Sequence, residues 1–175
     1  TTSQNFELST FNDKPYVGSV RCKLCHNAYY QSWKDTLHTK KLRYPTDEPG
    51  IVADIDSDGT DDFKESLNLS TDSDFSVYGT NAPVLGYSNG NYTVKIGQVT
   101  YTVNKTIGGN WKQRYVIQQG NSHYILPIQY NVSDKDWVTY DAANWYDSSN
   151  VPVYGSSNTF ASESNQSQAY ERRCG

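Results

Sequence analysis

At 175 residues the chain is long enough for one domain, or for a domain with an extension. A hydrophobic fraction of 35% and a mean hydropathy of −0.77 leave little aliphatic core. The formal charge of −4, without a run of like charges, argues against a nucleic-acid or anionic-membrane partner. No apolar run approaches the roughly 18 residues of a membrane span.

Thr1 to Lys14 is polar, lacks periodicity and reads as an extended arm. Pro15-Tyr16-Val17-Gly18-Ser19 then sets a turn. The chain starts at Thr1 and contains no methionine, so it reads as a processed product whose leader has been removed.

Cys22-Lys23-Leu24-Cys25-His26 is the C-x-x-C-H pattern of covalent haem attachment. Cys22 and Cys25 can each add to a porphyrin vinyl group, while His26 is placed to ligate the iron. A zinc site needs a second ligand pair of similar spacing, and the one further cysteine is Cys174. A thioredoxin-type disulfide needs a βαβ context that these residues lack. Tyr30, Trp33, Leu37 and Lys41 recur at three or four, which predicts a helix from about Cys25 to Leu42, ended by Tyr44-Pro45.

His38 lies twelve residues beyond His26, a rise of about 18 Å with side chains about 120° apart on a straight helix. Two imidazoles on one iron bring their nitrogens within roughly 4 Å, so these two cannot share a metal. His38 is therefore a solvated helix-end residue or the distal ligand of a different haem. At the other end of the chain, Cys174 is odd in number. It reads as the first cysteine of a second haem motif, in preference to an intermolecular disulfide.

The stretch YVGSVRCKLCHNAYYQSWKDTLHTKKL resembles the opening haem segment of multihaem c-type cytochromes of periplasmic and outer-surface electron transfer. WKQRYVIQQGNSHYILPIQYNVSDKDWVTYDAANWYD, Trp111 to Asp147, is similar to the β-rich segment of the same group. The resemblance implies bis-histidine haems in close-packed series, including those of extracellular cytochrome filaments. With no methionine in the chain, the ligand opposite His26 is His123, His38 of another copy, or a histidine of another chain segment. A His/His iron lacks the methionine that raises the potential, so a comparatively low potential is expected. His123 also reads simply as a strand histidine near a hairpin turn.

Asp54-Ile55-Asp56-Ser57-Asp58-Gly59-Thr60-Asp61-Asp62-Phe63-Lys64-Glu65 fits the calcium-loop pattern D-x-D-x-D-G-x5-E. The expected ligands are Asp54, Asp56, Asp58, the Thr60 carbonyl, Asp62 and Glu65. Asp61 stands where paired loops carry an apolar residue, and Pro49 to Ala53 does not read as an entering helix. The loop is therefore read as an isolated structural site or as a solvated acidic turn.

Beyond Asp72 the pattern turns to strands. Tyr92–Ile96 and Val99–Val103 alternate with period two around Gly97-Gln98, the mark of a type II′ hairpin. Arg114–Gln118 and His123–Gln129 predict a second hairpin, with Pro127 assigning its latter part to a sheet edge. Trp137–Tyr140 is a fifth strand. The expected fold is α+β with low regular structure: one haem-bearing helix, a calcium-type loop and a small antiparallel sheet. Its parts are a haem-attachment segment over 1–48, a connector over 49–75, the β region over 76–146 and a loop-rich tail over 147–175. Sequons at Asn68, Asn91, Asn104, Asn131 and Asn165 are ascribed to chance in a polar sequence.

The leading expectation is electron transfer through covalent haem in an extracytoplasmic protein, with redox proteins or further copies of itself as partners. The homo-oligomer or filament that this implies comes from the resemblance. Two alternatives stand beside it. One is a haem oxidoreductase acting on a small nitrogen or sulfur oxyanion, with Lys112, Arg114 and Tyr115 as donors. The other is a calcium-stabilised extracellular binding module without haem.

Overall fold

In a computed structural model, the described residues are 19–34, 36, 41–47, 49–154 and 169–170. The chain divides into two compact units, Thr1–Thr39 and Lys40–Gly175. No described helix is long and apolar enough to cross a membrane.

The first unit contains α1 (Ser19–Cys22) and α2 (Asn27–Lys34). The expected long helix is shorter here. Residue 35 and residues 37–40 lie outside the description, and Leu42 belongs to a strand, β1 (Leu42–Arg43). Leu42 opposes Ile107, so cross-strand pairing overrides the helical spacing at that end.

The second unit is mainly a curled antiparallel sheet with few helices. After β1 come β2 (Val84–Ser88), β3 (Asn91–Ile96), β4 (Val99–Gly108), β5 (Lys112–Gln119), β6 (Ser122–Asn131) and β7 (Asp136–Thr139). Strands β2 to β7 are neighbours in chain order, and β1 adds to the C-terminal half of β4. Short loops produce this meander. Gly97 adopts φ 57°, as the first central residue of a type II′ turn requires. Asn89 and Gly90, at φ 51° and 81°, join β2 to β3 through an Asn-Gly turn.

Pro127 does not mark an edge, because β6 lies between β5 and β7. The β5–β6 register shifts between Arg114 and Val116, opposite the stretch that contains Pro127. At such a bulge a residue without an N–H fits inside a sheet. A second shift, in β4 between Val103 and Lys105, leaves Asn104 to accept the Gln118 amide through its side chain at 2.8 Å.

The core is aromatic. Phe63, Tyr115, Tyr130 and Trp137 are almost wholly buried, with the Phe63 ring 5.0 Å from Tyr115 and 6.1 Å from Trp137. Trp137 lies 5.3 Å from Tyr130. A second group joins Trp145 to Tyr101 at 5.5 Å and to Tyr154 at 4.9 Å. Large rings thus supply the apolar mass that the sparse aliphatics do not.

Candidate functional site

In the first unit the C-x-x-C-H residues lie where two short helices meet. Cys22 is the last residue of α1, and the amides of Lys23 and Leu24 close that turn onto the Val20 and Arg21 carbonyls, both at 3.3 Å. Cys25 is an exposed free cysteine. His26 precedes α2 and its carbonyl accepts the Tyr30 amide at 2.9 Å, so the start of the helix fixes its backbone. The imidazole is exposed and stands 6.5 Å from the Tyr29 ring.

Apolar side chains crowd the same short segment without being buried in it. No residue of α2 is buried. Leu24 is 86% exposed, Tyr29 78%, Val20 66% and Trp33 43%. Large side chains thus stand open beside an exposed thiol, Cys25, and an exposed imidazole, His26. The donor set fits a c-type haem, since thiols and an imidazole are what its attachment needs. His38 and Cys174 lie outside the described residues.

In the second unit Asp54, Asp56 and Asp58 each bring a carboxylate oxygen within 4.8 Å of the others. The chain is bent to do this. The Asp58 amide donates to Asp54 at 3.2 Å, the Gly59 amide to Asp54 at 3.1 Å, and the Thr60 amide to Asp58 at 2.7 Å. Gly59 sits at φ 91°, a conformation that a side chain resists. Glu65 is exposed, and its carboxyl is raised above the usual range, first by partial desolvation and then by the charges of Asp56, Asp58, Asp62 and Asp54. Mutual repulsion among these acids is what a divalent cation would relieve.

Asp62 does not join the trio. It is fully buried and accepts from the Ile55 amide at 3.0 Å and from the Trp137 indole N–H at 2.6 Å. Burial raises its pKa, with those two bonds opposing the shift. The position counted as a ligand therefore ties the loop to the core. Tyr130 adds a second tie, its hydroxyl donating to the Asp54 carbonyl at 2.9 Å. Lys135 donates to Ser57, and Lys64 pairs with Asp61 at 2.8 Å.

The remaining candidates are dispersed. His123 is half-buried in β6, opposite Gln118 and beside the Gly120 turn. Tyr115 is wholly buried and its hydroxyl donates to Gln113 at 3.1 Å. Arg114 packs 3.9 Å above the Tyr140 ring and donates to Gln129 at 2.7 Å. Tyr115 is thus sealed in the core while Arg114 is engaged by Gln129 and Tyr140, so the two do not converge on one substrate.

The tie between Asp62 and Trp137 was not expected from sequence. Its available signal was an indole on a buried strand, which needs an acceptor for its N–H. No protein-family model, no curated protein and no solved structure matches this chain.

Proposed function

We propose that this chain is an electron-transfer protein carrying a covalent c-type haem, as part of a multihaem cytochrome outside the cytoplasm. Cys22 and Cys25 would hold the porphyrin and His26 would ligate the iron; when bound, the haem would supply a one-electron couple. The observation that carries this reading is the exposed free Cys25 beside an exposed His26, among aromatic and aliphatic side chains that nothing in their own unit buries. The exposed side chains of Leu24, Tyr29 and Trp33 are the apolar surface offered to the group. Redox partner proteins or neighbouring copies are the expected contacts.

The test is an intact mass and a visible spectrum of protein expressed with a haem-attachment system. A covalent haem mass and a six-coordinate low-spin spectrum indifferent to carbon monoxide are expected. A chain without a Soret band, or with a Cys22–Cys25 disulfide, overturns the proposal. A high-spin haem that binds carbon monoxide turns it towards the oxidoreductase.

A second reading is favoured by the convergence of Asp54, Asp56 and Asp58. In it the loop takes Ca²⁺ as a structural ion, with the Thr60 carbonyl and Glu65 completing the oxygen shell. This is compatible with the haem reading. Without haem, it leaves a calcium-stabilised binding module. Calorimetric titration with calcium distinguishes an ion site from a solvated acidic turn, which gives no saturable heat.

A further inference from the structure

Arg43 and Thr106 face each other across the β1–β4 ladder, and both are buried, Arg43 at 8% exposed and Thr106 at 0%. The Arg43 Nε and the Thr106 Oγ1 have no hydrogen-bond partner among the described residues. Directly opposed residues on antiparallel strands bring their side chains together, so the two orphaned groups are neighbours. Arg43 Nη2 donates to the Gly108 carbonyl, a neutral acceptor. None of the ion pairs between described residues includes Arg43.

The surroundings are built to admit this guanidinium. A Cβ on Gly109 would stand 2.6 Å from Arg43 Nη2, and Gly109 has φ 126°, a backbone conformation that favours glycine. The nearby Gln113 offers Arg43 no free acceptor. Its amide nitrogen donates to the Gly50 carbonyl at 2.8 Å, and its oxygen accepts from the Val52 amide at 3.0 Å and the Tyr115 hydroxyl at 3.1 Å. A buried cation without a counter-charge is strongly unfavourable, and each unpaired buried polar atom calls for a partner.

We infer that Arg43 and Thr106 form a buried site for a small monovalent anion, a halide or a carboxylate, which accepts from Arg43 Nε and from the Thr106 hydroxyl. The anion neutralises the guanidinium and satisfies both orphaned groups at once. It fastens the two-residue β1 to β4, independently of haem or calcium.

The test uses the full chain, melted at constant ionic strength in sulfate with bromide or formate added, and diffraction at the bromine edge from bromide-soaked crystals. A saturable rise of several degrees is expected, with an anomalous peak in reach of both Arg43 Nε and Thr106 Oγ1. A rise with bromide alone assigns a halide, and one with formate alone a carboxylate. Thr106→Val, which keeps shape and folding, should reduce the rise, and Arg43→Met should abolish it. Midpoints that ignore the identity of the anion overturn the site, as does a bromide peak without any change in melting. A parent chain without an anion response and a Glu48→Gln variant that gains one also overturn it, by making the chain's own carboxylate the counter-charge.

Discussion

The segment around Cys25 and the sheet around Trp137 use large side chains in opposite ways. In the sheet, Phe63, Tyr115, Tyr130 and Trp137 pack ring against ring and are almost entirely buried. Around Cys25, Leu24, Tyr29 and Trp33 are open to solvent, and α2 has no buried residue at all. An eight-residue helix with no packed face is marginal in water. The sheet is thus held by its own residues, whereas α2 has no packed face among the described residues.

The sharpest way to break that contrast is Cys25→Ser. If haem covers the helices, the variant loses its stable doubly attached pigment, and far-ultraviolet dichroism shows lost helix while the sheet melts as before. Equal damage to both regions refutes the division of labour. Trp137→Ala attacks the other side, removing a buried indole and stranding the Asp62 carboxylate. A loss of about 3–5 kcal/mol in denaturant unfolding is expected, with the visible spectrum unchanged.

A smaller effect is expected from the loop. At a calcium concentration about ten times the dissociation constant, binding stabilises the sheet by about 1.4 kcal/mol. Chelation should remove that increment and Asp58→Asn should weaken it. Trp137 fluorescence reports the change through Asp62.

Alkaline titration is the mildest probe. Burial pushes the Tyr101 hydroxyl from 10.0 up to about 12, and raises Tyr115 and Tyr146 as well. A raised phenol pKa means that the unfolded state releases its protons first. Stability is therefore complete below pH 10 and declines as pH rises from 10 towards 12. Absorbance at the phenolate band should rise steeply with unfolding.

Much of the sheet could be read from the residues, because alternation and turn chemistry act locally. Tyr92–Ile96 and Val99–Val103 lie within β3 and β4, and Gly97 takes the positive φ that its turn needs. The strand at Trp137 is present as β7. The strand β2 is weakly marked in the sequence because Gly86 interrupts its pattern, although Asn89-Gly90 offers a hairpin signal. The helical spacing misleads at Leu42 because its strand partner Ile107 is distant in sequence. Pro127 pointed to an edge, but a register shift is invisible without the neighbouring strand.

At the candidate sites the legible part was the spacing of donors. Asp54, Asp56 and Asp58 do converge. The inward turn of Asp62 was hidden because a motif assigns positions along a loop and says nothing of an indole 75 residues away.

Asn104 carries one last implication. By taking the Gln118 amide where the ladder slips, it allows a single long strand to serve β3 with one half and β1 with the other. The seam to β3 is longer than the two-residue seam to β1. Under load, or during slow amide exchange, Leu42 and Arg43 should peel away first, which makes β1 a detachable latch on an otherwise continuous sheet.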